Sequence, residues 1–275
     1  MSIFFIFLLG LFLGSFLNVL ADRLPNDKSI LGRSHCEYCN HALGAKDLIP
    51  LLSFVYLKGK CRYCGKKLSL NYPLSEIFTG VVFAVTYILI FNFQFSIFNE
   101  ILSLNSLIIN LVFSLVIVSV LIAIFLADLR YGVIPDKILA VGTVATVIYL
   151  LISNSQFLIS NEILNLNSLI LNHIVSAVAA FLFFLVIYLL TKGKGIGFGD
   201  VKFGFFMGLL LGFPDVLLAL YLAFLTGGVV AIILVLWKKK GMKSKIAFGP
   251  FLVIGTYVSF FLASLIIPAV ADFLL

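Results

Sequence analysis

Apolar residues in this chain occur in long runs that are separated by polar segments. About eight runs are candidates for membrane helices, at roughly residues 2–21, 74–95, 107–127, 138–153, 168–191, 201–213, 216–236 and 248–270. A helix of about 20 apolar residues crosses the hydrocarbon core of a bilayer, and the fourth and sixth runs are shorter than that. The pattern predicts an all-α, polytopic membrane protein with about eight transmembrane helices.

The composition supports this fold class. Of the 275 residues, 62% are hydrophobic and 11% are charged, and the mean hydropathy is +1.19. An ordinary soluble domain has about a quarter of its residues charged, so the chain falls outside that class.

The basic residues are confined to four segments between the apolar runs. All 19 Lys and Arg residues lie within 23–67, 130–137, 192–202 and 238–245. Because the connections that alternate with these segments contain neither residue, the positive-inside rule predicts that the basic segments are cytoplasmic and both termini are outside. The net charge of +7 is therefore a topology signal and indicates contact with membrane lipid. No nucleic-acid-binding module accompanies it, so nucleic acid is not an expected partner.

The polar segment 22–73 contains every cysteine of the chain, in two C-x-x-C pairs: Cys36, Cys39, Cys61 and Cys64. This spacing is close to that of four-thiolate zinc ribbons. Four thiolates leave no open position for a water molecule, so the predicted Zn²⁺ site is structural and folds a loop with too little apolar mass for its own core. Two disulfides are the alternative, which a reducing cytoplasmic location disfavours. His35 and His41 are alternative ligands.

Two acidic residues lie at the edges of apolar runs. Asp128 follows the third run, at a helix carboxyl end where the dipole disfavours a negative charge, and Asp200 follows the glycine-rich stretch 193–199. Acids at membrane depth cost about 2.5–3.5 kcal/mol on insertion scales and are candidates for function. Two carboxyl groups a few ångströms apart share a proton and supply a general acid and a general base. The sequence therefore predicts an aspartic dyad.

Three further acidic or glycine motifs have two interpretations each. The stretch before Asp200 is not a G-x-G-x-x-G and no strand precedes it, which excludes a dinucleotide-binding loop. Asp136, just after Pro135, is explained as a first-turn helix carboxylate and is the next catalytic candidate if Asp128 fails. Glu76 near the start of the second run either favours its helix dipole or meets the dyad or a basic substrate.

The chain resembles the type IV prepilin peptidases, a family of polytopic aspartic proteases. The matching motifs follow the family's order: Gly14–Val19 with Arg23-Leu24-Pro25, the paired C-x-x-C loop, Tyr72-Pro73 with Glu76, Asp128 followed by Ile134-Pro135-Asp136, Gly197–Asp200 with Lys202, and Phe248-Gly249-Pro250. Two departures are small. Ala21-Asp22 precedes Arg23 where the family has a hydrophobic residue and a tyrosine or similar residue, and Phe198 stands where tyrosine is commoner.

The resemblance implies cleavage of the short basic leader of type IV prepilins or pseudopilins by Asp128 and Asp200. It also implies methylation of the new amino terminus with S-adenosylmethionine, for which Gly59 and Lys60 are the candidate residues. Five residues are expected to position the substrate or the backbone: Gly197, Gly199, Glu76, Asp136 and Lys202.

We therefore expect two regions in a multi-pass protein of the bacterial cytoplasmic membrane, with the active site facing the cytoplasm. Residues 1–95 form a methyltransferase-associated region with the cysteine loop, and residues 96–275 form a six-helix peptidase region. Two other functions are compatible with the same acids, a peptidase without methyl transfer and an ion- or proton-coupled transporter. A Ser-His-Asp hydrolase is disfavoured because no nucleophile motif lies near the histidines.

Overall fold

A computed structural model describes residues 3–91, 104–157, 163–237 and 247–274. Within these residues the regular structure is helical, apart from isolated β-bridges between His35 and Ala42 and between Lys60 and Lys67. The predicted all-α class is confirmed. The basic segment at 238–245 lies outside the described residues. So do the acids of two outer connections, Glu100 and Glu162.

Contacts along the chain divide it into two units, Met1–Ala123 and Ile124–Leu275. The first unit contains three helices and the start of a fourth: α1 (Ile3–Arg23), α2 (Leu52–Tyr56), α3 (Asn71–Leu89) and α4 (Leu104–Tyr131). The second unit contains the end of α4 and five further helices: α5 (Asp136–Phe157), α6 (Ile163–Leu190), α7 (Phe198–Leu211), α8 (Asp215–Leu236) and α9 (Gly249–Leu274).

In the first unit, α1 packs closely along α3. A Cβ atom built on Gly10 would lie 2.7 Å from the Cα atom of Gly80, so a larger side chain does not fit there. Gly10 and Gly14, one turn apart, both face α3 at this close approach. The Ser75 hydroxyl donates to the amide oxygen of Asn18 at 2.7 Å, so Asn18 makes a buried polar contact between the two helices.

The buried face of α3 follows the helical period. Glu76, Thr79, Gly80, Phe83 and Tyr87 are buried at spacings of three or four residues, which places them on one side of the helix. This stripe faces α1 and the segment that joins α1 to α3. Glu76 is its only charged member, and its position near the start of α3 directs it toward that segment.

In the second unit, α7 is the most buried helix. Its glycines Gly204 and Gly208 leave no room for a side chain beside α6, where Phe184 and Ser176 contact them. Phe203 and Phe206 of α7 are fully buried. The helix begins one residue after Gly197 and ends before Gly212, which has a positive φ of 71°. Dense packing around α7 fixes the position of its first turn.

Among the described residues, five helices are long and apolar enough to cross a membrane: Ile3–Asn26, Asn71–Leu89, Leu107–Tyr131, Ile170–Leu190 and Asp215–Leu236. A shorter apolar helix covers Gly249–Ala263. These helices make the chain a multi-pass membrane protein, and the count of eight spans remains a prediction.

Candidate active site and metal centre

Asp128 lies in the last turn of α4 and only 5% of its surface is exposed. It occupies this place because the apolar run of α4 continues through Leu126 and Ala127, which are also buried. One carboxylate oxygen of Asp128, Oδ2, has no hydrogen-bond partner among the described residues. Buried polar atoms are nearly always partnered, so this oxygen is available to a water molecule or a substrate.

Asp200 lies in the first turn of α7 and is also buried. Its Oδ2 atom accepts a hydrogen bond of 3.0 Å from the backbone N–H of Gly197, the residue before the helix. This contact fixes the carboxyl group against its own backbone and leaves its other oxygen outside that bond. The glycine-rich stretch therefore contributes a backbone donor to the acid, and the positioning role expected of Gly197 stays a prediction.

The two acids lie close enough for their charges to interact. They come from the carboxyl end of one helix and the amino end of another, 72 positions apart in the chain (200 − 128). Two buried carboxyl groups whose charges interact are what an aspartic dyad requires. Their assignment as the catalytic pair remains a prediction.

Gly249, the first residue of α9, packs directly on Asp128. A Cβ atom there would lie 2.5 Å from the Asp128 Oδ2 atom, and the backbone N–H of Gly249 interacts with the Asp128 carboxyl group. Gly249 is thus both the start of a helix and a neighbour of the Asp128 carboxyl group. A helix amino terminus favours the ionised form of a nearby carboxyl group.

Gly199 has a related packing role. A Cβ atom on Gly199 would lie 3.2 Å from the Cβ atom of Ile134, so the motif before Asp200 and the segment that follows Asp128 are in contact. Glycine at this position lets the two segments that carry the acids approach each other.

Asp136 and Lys202 pair with each other. The Lys202 ammonium group donates to both oxygens of Asp136, at 2.7 and 2.8 Å, and 68% of the Asp136 side chain is exposed. An exposed, neutralised carboxylate is a weaker candidate for acid–base chemistry than Asp128. The structure explains both residues without a substrate, and their role in substrate positioning stays a prediction.

The four cysteines of the first unit form one cluster. Their sulfur atoms all lie within 4.8 Å of one another, and the Sγ atoms of Cys36 and Cys64 are 3.9 Å apart. Four Zn–S bonds of about 2.3 Å in a tetrahedron give sulfur separations of about 3.8 Å, so the cluster fits a zinc ion. All four thiols are free, and neither histidine belongs to the cluster. His41 instead packs on the ring of Tyr63.

Each C-x-x-C pair forms the same turn. The N–H of Asn40 donates to the Cys36 carbonyl and the N–H of Gly65 donates to the Cys61 carbonyl, at 2.9 and 3.0 Å. Both Asn40 and Gly65 have positive φ values, 53° and 69°, as their residue types favour. Backbone amides of Cys39 and Tyr38 lower the pKa of the Cys36 thiol to about 7, which favours the thiolate that binds metal.

Asp47 braces the second cysteine pair. It accepts hydrogen bonds from the Arg62 guanidinium at 2.6 Å, from the Tyr63 hydroxyl at 3.2 Å and from the Gly44 N–H at 3.1 Å. Burial acts to raise the pKa of Asp47, but these three hydrogen bonds outweigh it and hold the pKa below its usual value. No pattern in the sequence indicated this contact.

Glu76 contacts the loop rather than the first turn of its own helix. Its Oε2 atom accepts a hydrogen bond of 3.0 Å from the N–H of Leu51, and the Ser15 hydroxyl also bonds to it. The expectation that Glu76 serves its helix dipole therefore does not account for its contacts. Leu51 is a residue that the sequence did not single out, because a backbone donor leaves no mark on residue type.

The residues proposed for methyl transfer lie at the turn before the third cysteine. Gly59 has a φ of 68°, and a Cβ atom on it would lie 3.0 Å from the Phe54 ring. Lys60 forms a β-bridge with Lys67. Phe54 and Cys61 line a cavity of about 240 Å³ that also contains Glu76. Gly59 thus adjoins this cavity through Phe54.

The fold and the site define a class: a multi-pass membrane protein with a pair of buried carboxyl groups and a four-cysteine cluster that fits a metal ion. Two family models match the chain. Residues 8–90 match the Bacterial Peptidase A24 N-terminal domain, and residues 115–232 match the Type IV leader peptidase family.

Curated relatives match along almost the whole chain. A protein of Bacillus subtilis (strain 168) named prepilin leader peptidase/N-methyltransferase is 31% identical over 261 residues, which cover 94% of this chain and 93% of the relative. Proteins of the same name from Aeromonas hydrophila and Legionella pneumophila are 27% and 28% identical, and each alignment covers 92% of this chain and 88% or 89% of the relative. No solved structure is significantly similar. The chain belongs to the type IV leader peptidase family.

Proposed function

We propose that this protein is a membrane aspartic endopeptidase that removes the short basic leader of type IV prepilins or pseudopilins and then methylates the new amino terminus. The observation that carries the peptidase activity is that the buried acids Asp128 and Asp200 lie close enough for their charges to interact. The names of the relatives, prepilin leader peptidase/N-methyltransferase, support the substrate and both activities.

In the cleavage step, one ionised carboxyl group of the pair takes a proton from a water molecule, which attacks the scissile carbonyl carbon. The protonated partner donates a hydrogen bond to the developing oxyanion. The proton taken from the water molecule then passes to the leaving nitrogen. Two observations support this mechanism. The Oδ2 atom of Asp128 has no hydrogen-bond partner among the described residues, and the carboxyl group of Asp200 is held by the Gly197 N–H. No covalent intermediate is required. Each general acid or base contributes about 10²–10⁴-fold to the rate.

Five residues are proposed to position the substrate or the backbone around this reaction. Gly197 and Gly199 act on the backbone, since one bonds to Asp200 and the other packs on Ile134. The Asp136–Lys202 pair, whose lysine lies two residues after Asp200, offers a carboxylate and an ammonium group at the surface of the second unit. Glu76 belongs to the first unit, where its charge faces a cavity.

Methyl transfer is proposed for the region around residues 1–95, with residues 96–275 as the peptidase region. S-adenosylmethionine, when bound, supplies a methyl group activated by its sulfonium sulfur. Within the chain, Gly59 holds the turn that places Phe54 in the wall of the first-unit cavity, and Lys60 continues that turn toward Cys61.

Cys36, Cys39, Cys61 and Cys64 would hold a Zn²⁺ ion with a structural role, because the four thiolates leave no coordination position open to a substrate. We place the protein in the bacterial cytoplasmic membrane with its active site facing the cytoplasm. The confinement of Lys and Arg to alternate connections supports this orientation.

The proposal is tested by incubating the purified full-length protein with a prepilin and measuring leader release and methyl incorporation separately. The wild type is expected to release the leader and to incorporate one methyl group per cleaved chain. Release without incorporation would reduce the proposal to a peptidase, and ion flux without release would replace it with a transporter.

A further inference from the structure

The first unit contains a cavity that the dyad does not use. It lies between the carboxyl end of α1, the amino end of α3 and the cysteine-rich loop, and its volume is about 240 Å³. This is somewhat below the roughly 300–1,000 Å³ range of small-molecule sites. Its wall combines apolar side chains with acidic and basic ones.

Glu76 supplies a negative charge to this cavity. Only 8% of its surface is exposed, and its carboxylate is held by the Leu51 N–H and the Ser15 hydroxyl. In the described part of the chain, no lysine or arginine forms an ion pair with it. A buried carboxylate is costly unless a cation balances it. The cavity therefore favours a ligand that brings a positive charge.

The other acids of the cavity wall, Asp22, Glu37 and Asp47, are half-buried or exposed, whereas Glu76 is buried. Asp47 pairs with Arg62, and Glu37 accepts a hydrogen bond from the Tyr72 hydroxyl. The guanidinium group of Arg23 donates to backbone carbonyls of the loop, among them Ile30 at 3.0 Å and Arg33 at 3.1 Å. These contacts leave Glu76 as the acid whose charge a ligand can complement.

The loop is bent to meet Glu76. Leu51 has φ 58° and ψ −50°, and the N–H of Leu52 donates to the Pro50 carbonyl at 2.5 Å, which makes Leu51 the centre of a γ-turn with positive φ. This conformation is rare for a branched residue and persists only where its surroundings hold it. The turn fixes the carboxylate in the cavity wall.

The remaining wall suits a flat aromatic group. The ring of Phe54 and the side chains of Leu43, Leu48 and Leu57 line the cavity together with Val19. Apolar and aromatic walls of this kind bind the faces of heteroaromatic rings. The cavity thus offers an apolar surface beside a buried carboxylate.

We propose that this cavity binds S-adenosylmethionine, with the Glu76 carboxylate facing a cationic group of the ligand. The inference rests on the proposed methyl transfer and names the site that serves it. The ligand carries a sulfonium and an ammonium cation beside an adenine ring, which matches the charge and the apolar wall. A basic leader peptide is the other cationic ligand of this system, but a cavity of about 240 Å³ with a single buried acid in its wall favours the small molecule.

The test measures equilibrium binding of radiolabelled S-adenosylmethionine to the purified full-length protein. Glu76→Gln removes the charge while keeping the size of the side chain and an oxygen for the Leu51 N–H. We expect binding at least about 30-fold weaker than in the wild type, as for the loss of one partner of a buried charge pair. The matched control is Asp27→Asn, which removes an exposed acid of the same loop outside the cavity wall and is expected to change binding less than about twofold.

S-adenosylhomocysteine shows which cation Glu76 meets, because its sulfur is neutral while its ammonium group is retained. Weaker binding of S-adenosylmethionine alone assigns the sulfonium, and weaker binding of both assigns the ammonium; either result supports the proposal. Unchanged binding by Glu76→Gln overturns it. So does Glu76-dependent binding of a synthetic basic leader peptide with unchanged binding of S-adenosylmethionine.

A second measurement needs no variant and covers the case in which Glu76→Gln loses zinc or fails to fold. Ultraviolet cross-linking of labelled S-adenosylmethionine to the wild type is expected to label peptides that contain Phe54 or Tyr72. Labelling confined to the second unit would overturn the site. If the wild type shows Glu76-dependent binding but transfers no methyl group, the proposed methyl transfer fails and the site stands. If the wild type transfers methyl groups while Glu76→Gln binds S-adenosylmethionine unchanged, the methyl transfer stands and the site fails.

Discussion

Gly249 packs on Asp128 so closely that a single added methyl group would lie 2.5 Å from the Oδ2 atom of the carboxylate. That oxygen is the one without a hydrogen-bond partner among the described residues. The first residue of α9 therefore limits the space around the atom that we assign to catalysis. Any larger side chain has to displace the carboxyl group or the helix start.

Gly249→Ala is expected to reduce kcat/KM for leader cleavage by about 100-fold, since a displacement of about 1 Å of a catalytic group has effects of this size. The matched control is Gly228→Ala in α8, where a Cβ atom meets nothing within 4 Å. Cleavage kinetics of the two variants decide the matter. Equal activity of both would show that Gly249 does not position Asp128.

Gly59→Asn separates a side-chain clash from backbone strain. Asparagine tolerates positive φ. Asn40 occupies in the first cysteine pair the position that Gly65 occupies in the second, so the control Gly65→Asn is expected to be nearly neutral. At Gly59 the new Cβ atom would lie 3.0 Å from the Phe54 ring. We expect Gly59→Asn to lower methyl incorporation at least about tenfold, measured with labelled donor. A loss as large in Gly65→Asn would point to strain alone.

The cysteine cluster predicts one zinc ion per chain, measurable by elemental analysis of the purified protein. Cys61→Ser is expected to lose this zinc and to expose the segment between α1 and α3 to proteolysis, because metal binding supplies the folding free energy of such loops. Retention of one zinc ion by Cys61→Ser, with an intact loop, would contradict a site made by the four thiolates.

The contact between Asp47 and Arg62 predicts a pH dependence. Because the pKa of Asp47 is lowered in the folded state, its contribution to stability is present above its ordinary pKa of 3.8 and is lost as the pH falls through the lower folded value. The difference in unfolding free energy between the wild type and Asp47→Asn should therefore be constant near neutral pH and shrink below about pH 4. Because both proteins contain the same thiolates, the acid sensitivity of the thiolates cancels in this difference. A difference that grows on acidification would show that Asp47 is not held ionised.

Much of the fold could be predicted because apolar run length is visible in a sequence. Each of the eight predicted runs corresponds to one long helix among the described residues, although helix ends differ by several residues where polar turns continue a helix, as at Tyr131 and Phe157. The four-cysteine cluster was predictable for a similar reason, since a tetrahedral site imposes its own spacing.

The contacts made by the site residues were less predictable. Lys202 and Asp136 are 66 positions apart, and the Leu51 donor is 25 positions from Glu76, so neither pairing follows from local pattern. Helix dipole arguments favoured a local role for Glu76, but a strained backbone turn in the preceding loop binds it instead. Residue types indicated which groups carry the chemistry, whereas tertiary packing decided their partners.

The measurement that tests the central claim most directly is leader cleavage by Asp128→Asn and Asp200→Asn beside the wild type, with zinc content as the control for folding. Each variant keeps the shape of the side chain and removes one carboxyl group of the pair. We predict that both bind zinc as the wild type does and that both lose cleavage by at least about 10²-fold. Normal cleavage by either variant would contradict the assignment of Asp128 and Asp200 as the dyad and would make Asp136 the next candidate.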